Sequence, residues 1–201
     1  MPTITHGFDW PDRFVVGTVG MPGDRTFYLQ ARERGVTVSV SLEKQQTAAL
    51  AEGVEELLER LKDQEGNPFS VPDETEELLV DTDPLDMPVD EAFRVGMLTL
   101  GWDPRTSQIV VEAAPTPQLS PEEFETLQEA MDNDESVQLE VEPEEVLLVR
   151  IPVGAAKAFV DRTRSIVESG RPTCPICGEP LDPDGHECAN PGDLGFPGGT
   201  A

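Results

Sequence analysis

Long apolar runs are missing from this chain. Nowhere does a stretch approach the ~18 residues needed to cross a bilayer, and the N-terminus, with Pro11 close behind Trp10, lacks the apolar centre of a signal peptide. A cytoplasmic protein is expected. Aromatic residues are scarce at 5%, with one tyrosine and two tryptophans, so little is available to stack on unpaired bases. Basic residues are scarcer relative to acids, 14 against 40, and the formal charge of −26 argues against affinity for nucleic-acid phosphates. No glycine-rich phosphate-binding motif is present. Of the two histidines, His6 has no serine or cysteine locally arranged with it and an acid, so hydrolytic catalysis has no motif behind it. Carboxylates are too abundant for any pair of them to be diagnostic. The three cysteines are an odd count, which fits a reducing compartment better than a disulfide framework.

Those cysteines are also clustered. Cys174-Pro175-Ile176-Cys177-Gly178 is followed by His186-Glu187-Cys188, a C-x2-C-x8-H-x-C spacing that gathers three thiolates and an imidazole. Zinc prefers this tetrahedral Cys3His shell in structural sites, and four protein ligands leave no open position for a reacting water. The proline-rich setting cannot build a core, so a metal is what would order it. Cys174, Cys177, His186 and Cys188 are therefore the expected ligands of one structural zinc. The segment between them, Asp182-Pro183-Asp184-Gly185, reads as a turn, because the ligand spacing of a calcium loop fails after it.

The acidity is unevenly spread. Residues 63–92 hold eleven Asp and Glu and residues 112–145 hold twelve, with no Lys or Arg in either stretch. Outside them, 17 acids face all 14 bases, which is ordinary for a folded domain. Blocks of one sign repel themselves and stay hydrated, so the two stretches are expected to be solvated linkers, or else a docking surface for a basic partner.

The near-neutral remainder carries signs of an internal repeat. Phe14-Val15-Val16-Gly17 can be laid against Phe93-Arg94-Val95-Gly96, and Arg25-Thr26 against Arg105-Thr106, each pair following a Gly/Pro/Asp turn. Val36 to Leu42 alternates apolar and polar residues with period two, and its counterpart in the second copy is Val146 to Ile151. Each is followed by helical spacing: Leu50, Val54, Leu57, Leu58 and Leu61, then Ala155, Ala156, Phe159, Val160, Ile166 and Val167. Ser41 is the expected cap of the first helix, and Gly170 with Pro172 the stop of the second. The fold class that follows is α+β: a duplicated β-β-β-α unit forming a mainly antiparallel sheet with covering helices, plus a small C-terminal zinc knuckle.

The α+β domain would occupy residues 1–170. Its repeats span about 8–62 and 93–170, with an acidic linker at 63–92 and an acidic insertion at 112–145. A zinc knuckle at 171–190 and a flexible tail at 191–201 follow. Within the insertion, Ser120-Pro121-Glu122-Glu123 predicts a short helix to about Met131. Trp10, Trp102 and Tyr28 are expected in core or turn packing, weighed against stacking on a ligand. Arg25 and Arg105, in matching places beside hairpin turns, are the candidates for a paired anion contact, weighed against pairing with neighbouring acids.

Several segments together resemble an uncharacterised actinobacterial family. They are Phe8-Asp9-Trp10-Pro11-Asp12-Arg13-Phe14, Arg25-Thr26-Phe27-Tyr28-Leu29-Gln30-Ala31-Arg32, Ser39-Val40-Ser41-Leu42-Glu43-Lys44-Gln45, and the ending from Gly170-Arg171-Pro172 through Cys188. The family is a domain of unknown function, numbered three thousand and ninety in its series, and the resemblance spans roughly residues 3–188. It implies a cytosolic bacterial protein with a cysteine-rich C-terminus and brings no activity, substrate or catalytic residue. After Cys188 this chain departs from the family, whose basic run is replaced by Ala189-Asn190-Pro191-Gly192 and an uncharged glycine-rich end.

The expected function is a non-enzymatic binding, adaptor or regulatory protein, with a protein partner for the acidic loops and the zinc knuckle. A single-stranded nucleic-acid-associated protein with Whirly/Pur-like repeats is the alternative, by fold-level analogy alone and against the charge. An enzyme with an acidic pocket between the repeats is the third, recognisable by converging carboxylates of raised pKa.

Overall fold

The computed structural model describes residues 3–21, 23–117 and 142–169. The expected zinc ligands Cys174, Cys177, His186 and Cys188, the segment 191–201 and the helix expected at 120–131 lie outside the described residues. Strands β1 (Ile4–Asp9), β2 (Arg13–Met21), β3 (Asp24–Glu33) and β4 (Val36–Leu42) precede helix α1 (Lys44–Lys62). After a long connection come β5 (Glu91–Arg94), β6 (Met97–Asp103), β7 (Gln108–Ala114), β8 (Glu145–Pro152) and helix α2 (Val153–Glu168). The fold is α+β, and both halves run four strands and then a helix.

The strands do not form one mainly antiparallel sheet. They form two mixed sheets of four, ordered β1-β8-β7-β6 and β2-β3-β4-β5. In each, three consecutive strands make an antiparallel meander and the fourth is added in parallel from the other half: β1 beside β8, and β5 beside β4. The physical reason lies in the connections. Short turns join the antiparallel pairs β2–β3, β3–β4 and β6–β7, whereas a parallel strand needs a long crossover, which the 63–90 connection supplies for β5.

Pairing also corrects the alignment of the halves. Asp9 pairs with Arg150, and Arg94 with Ser41, which stand three residues before the first residues of α2 and α1 respectively. Phe93 therefore corresponds to Phe8, not to Phe14. Both phenylalanines are buried beneath their strands.

The alternation read in Val36–Leu42 places Val38, Val40 and Leu42 on the inner face, in register with core residues of β3. Val16, Leu29 and Val40 lie side by side across three strands, and Val111 and Val149 do the same in the other sheet; all five are fully or almost fully buried. One continuous core joins these residues to Leu50, Val54 and Leu58 of α1 and to Ala156, Phe159 and Val160 of α2. The helix spacing is thus the one expected, but the cap of α1 is Glu43 and not Ser41. Glu43 and Gln46 form a reciprocal capping box, while Ser41 is buried within β4. Among the described residues no helix is long and apolar enough to cross a membrane.

Candidate functional site

The acidic connection 63–90 is not a hydrated loop standing off the body. Asn67 turns the chain with φ 44°, its side chain bonding both the N–H and the C=O of Val71 at 2.9 Å, and Val71 is buried. Lys62 pairs with Asp73, and the Thr75 hydroxyl donates to Asp161 of α2 at 2.6 Å. A single 3-10 turn, Glu77–Leu79, follows. The chain then passes β2 and runs over the outer face of the second sheet to reach β5. Leu85 is its apolar anchor there, packed where the absent side chain of Gly17 leaves room: a Cβ on Gly17 would lie 2.4–3.0 Å from the Leu85 side-chain carbons.

The rest of the hold is electrostatic. The Arg13 Nε and Nη2 donate to the two carboxylate oxygens of Asp81 at 2.6 and 3.0 Å, a bidentate fork, and Nη1 reaches Asp86 at 3.3 Å. Arg162 of α2 meets the same Asp81 Oδ1 at 2.7 Å, the Asp83 carbonyl at 2.7 Å and the Val16 carbonyl at 2.9 Å. Arg32 pairs with Asp86 at 2.8 Å, and the buried Gln30 amide exchanges hydrogen bonds with the Asp86 backbone at 2.8 and 3.1 Å. The two central guanidinium side chains are only 8% and 10% exposed. The hydrogen bond from Arg13 holds the Asp81 carboxyl below its ordinary range, and the same bond raises Arg13. Arg162 shifts the other way because burial outweighs its attraction to Asp81 and Arg13 adds like-charge repulsion. Both arginines stay charged, since no protein environment of this kind neutralises a guanidinium.

Asp81 and Asp86 are turned inward to these arginines, and the apolar residues just before Asp81 face outward. Leu78 is 95% exposed, and Leu79 and Val80 are exposed beside it. They line a cleft of about 510 Å³ together with Trp10, Pro152 and the stacked rings of Phe14 and Phe159, whose centroids are 4.8 Å apart. Trp10 does not enter the core: it sits in the connection between β1 and β2 with a left-handed backbone, φ 59°, and is 56% exposed. Trp102, by contrast, packs edge-on against Phe69 as a core residue should.

Arg25 and Arg105 do not occupy matching places. The β2–β3 hairpin closes between Met21 and Asp24, so Arg25 lies on a strand opposite Gly20, whereas four residues separate Asp103 from Gln108 and Arg105 sits among them. Arg25 donates to the Ile166 and Ser169 carbonyls at the C-terminus of α2 and lies over the Phe27 ring. Arg105 stays beside Asp103 in its turn. The two arginines have separate partners in separate sheets. His6 lies on β1, 3.7 Å from Glu145 and too far for a hydrogen bond. Among the described residues no group of three or more His, Cys, Asp and Glu is arranged to hold a metal ion. Asp81, one of the carboxylates lining the cleft, is shifted down, the opposite of what a general acid needs near neutrality.

The sequence model of a family described as a protein of unknown function (DUF3090) matches residues 6–188. The chain belongs to this family. No curated protein and no solved structure matches it. The family's extent takes in the strap, the cleft and the cysteine cluster together, and its description assigns no activity to any of them.

No motif or period marks Arg162 or the Leu78-Leu79-Val80 triplet, and Arg13 and Trp10 stand out only within the segment Phe8–Phe14 and, for Trp10, as a large aromatic. The one local signal for the triplet is an apolar cluster set within an otherwise acidic, proline-bearing run.

Proposed function

We propose that this DUF3090 protein is a non-enzymatic binding or adaptor protein, in which the two-sheet body is a scaffold and the strap with Trp10 is its partner-binding face. The observation that carries this reading is the latching of the strap: Asp81 and Asp86 are held by Arg13, Arg162 and Arg32 while Leu78, Leu79 and Val80 face solvent. Exposed apolar side chains clustered at a cleft mark interaction surfaces, and burying one large side chain contributes ~1.5–3 kcal/mol. A zinc bound by Cys174, Cys177, His186 and Cys188 would order a second surface at the C-terminus; the spacing of those ligands supports that part of the proposal.

The test is site-specific photo-crosslinking in the native host, with the crosslinker at position 78 and a control at the exposed Val36 of the β3–β4 turn. A discrete adduct from position 78 that is absent from position 36, and lost when Trp10 is changed to Ser, is the expected result. Identical adduct patterns from both positions would sink the reading.

A further inference from the structure

We infer that the partner presents a short basic amphipathic segment, with apolar side chains entering the Trp10–Leu78–Val80 cleft and Lys or Arg side chains meeting the acidic rim around it. This rests on the reading of the cleft as a docking face and adds the chemistry of its occupant.

The argument is one of charge complementarity. The two basic residues lining the cleft, Arg13 and Arg162, are buried and already paired with Asp81, so neither is offered to an incoming group. The acids are in the opposite condition: Asp12 and Asp83, which line the cleft, and Glu74, Glu76 and Glu77, which lead into Leu78, are exposed, and among the described residues none of the five forms an ion pair. An apolar floor inside a rim of uncompensated carboxylates discriminates among occupants. A second copy of the chain would bring the same rim against itself, because a two-fold contact repeats one patch on both sides and places like charges together. A nucleic acid or an anionic membrane would meet repulsion at the rim and find only neutralised arginines within it. A cationic segment gains from the rim, and its apolar side chains match the cleft, whose volume of about 510 Å³ lies in the range of specific binding pockets. Leu78, almost wholly exposed at the centre of the strap, is the anchor expected to contribute most once it is covered.

The experiment is selection of random twelve-residue peptides displayed on phage against the immobilised full chain. Two variants run in parallel: Leu78→Ser with Val80→Ser, which removes the apolar side chains without changing charge, and Glu74→Gln with Glu76→Gln and Glu77→Gln, which weakens the rim. Both change exposed residues, and circular dichroism checks that they fold. The expected result is enrichment of peptides combining Lys or Arg with Leu, Phe or Trp and depleted in Asp and Glu. Their affinity should fall by about tenfold in the Leu78/Val80 variant, and their preference for Lys and Arg, but not for apolar residues, should fade in the rim variant. Peptides without a basic bias that still depend on Leu78 and Val80 would overturn the partner class and leave the docking face standing. Peptides that bind both variants as well as the parent, or no enrichment at all, would overturn the docking face and the inference with it.

Discussion

At the scale of single residues, Asp81 carries more of the arrangement than any other side chain. It accepts from Arg13 and Arg162 together, and both of those guanidinium groups are largely removed from water. Changing Asp81 to Asn keeps the shape and removes the charge, leaving two buried cations with a neutral acceptor; a loss of about 2–3 kcal/mol in urea unfolding is expected, from the strength of hydrogen bonds to charged groups and the cost of unpaired buried charge. The pH dependence follows from the direction of the shift. Asp81 is depressed below 3.8 in the folded state, so its contribution is fully present above the ordinary carboxylate range and is lost as pH falls through the lower, folded-state value. Acid titration followed by circular dichroism should show a stability loss below about pH 4 in the parent that is reduced in Asp81→Asn. Gly17 is the second telling residue. Its replacement by Val would drive Leu85 from its seat, and loss of that anchor together with strain at β2 should cost on the order of 1–3 kcal/mol. Gly17→Ala tests the same contact with a smaller side chain and should cost less; equal stability of all three proteins would contradict the packing described.

At the scale of elements, the sequence showed what is locally patterned and concealed what is held from a distance. β4 was legible because Val38, Val40 and Leu42 alternate with Thr37, Ser39 and Ser41, and the helices because their apolar residues recur at helical spacing. β1 and β5 were not, since each has a single buried residue, Phe8 or Phe93, and each pairs with a strand far away in the chain. The strap was hidden for a similar reason. Its composition is that of a hydrated linker, and only the nonlocal arrival of Arg13 from β2 and Arg162 from α2 makes its acids structural. The four residues expected from their spacing to bind a metal at the C-terminus lie outside the described residues. Exchange of the first strands between sheets has a consequence for stability: each sheet depends on the other half of the chain. Phe8→Ala should therefore cost about 3–5 kcal/mol and weaken the whole body, not one half of it. In a Trp10→Phe background, Trp102 fluorescence and helical circular dichroism should give coincident denaturation curves; separated curves would mean that the halves fold as independent units.

At the scale of the whole molecule, a charge of −26 is too large for the few arginines at the strap to offset. Self-repulsion of this kind destabilises the compact state and is screened by salt, so the melting temperature should rise between 20 mM and 500 mM sodium chloride, while binding of a basic partner should weaken over the same range. The two effects run in opposite directions, which separates screening within the chain from screening between the chain and its partner. A melting temperature that falls with salt would show that the ion pairs of the strap outweigh the repulsion of the remaining acids.

The account depends most on residues 76–86 being a fixed strap whose carboxylates are latched and whose leucines are thereby presented outward. Hydrogen exchange at neutral pH measures this directly, through the Asp86 amide bonded to Gln30, the Asp83 amide bonded to Asp81 and the Leu79 amide bonded to Glu76. The account predicts protection of these amides in the parent and its loss in Asp81→Asn while β3, β4 and α1 stay protected. Exchange at the rate of a free peptide in the parent itself would contradict it, and would reduce the exposed Leu78-Leu79-Val80 cluster to part of an unheld chain.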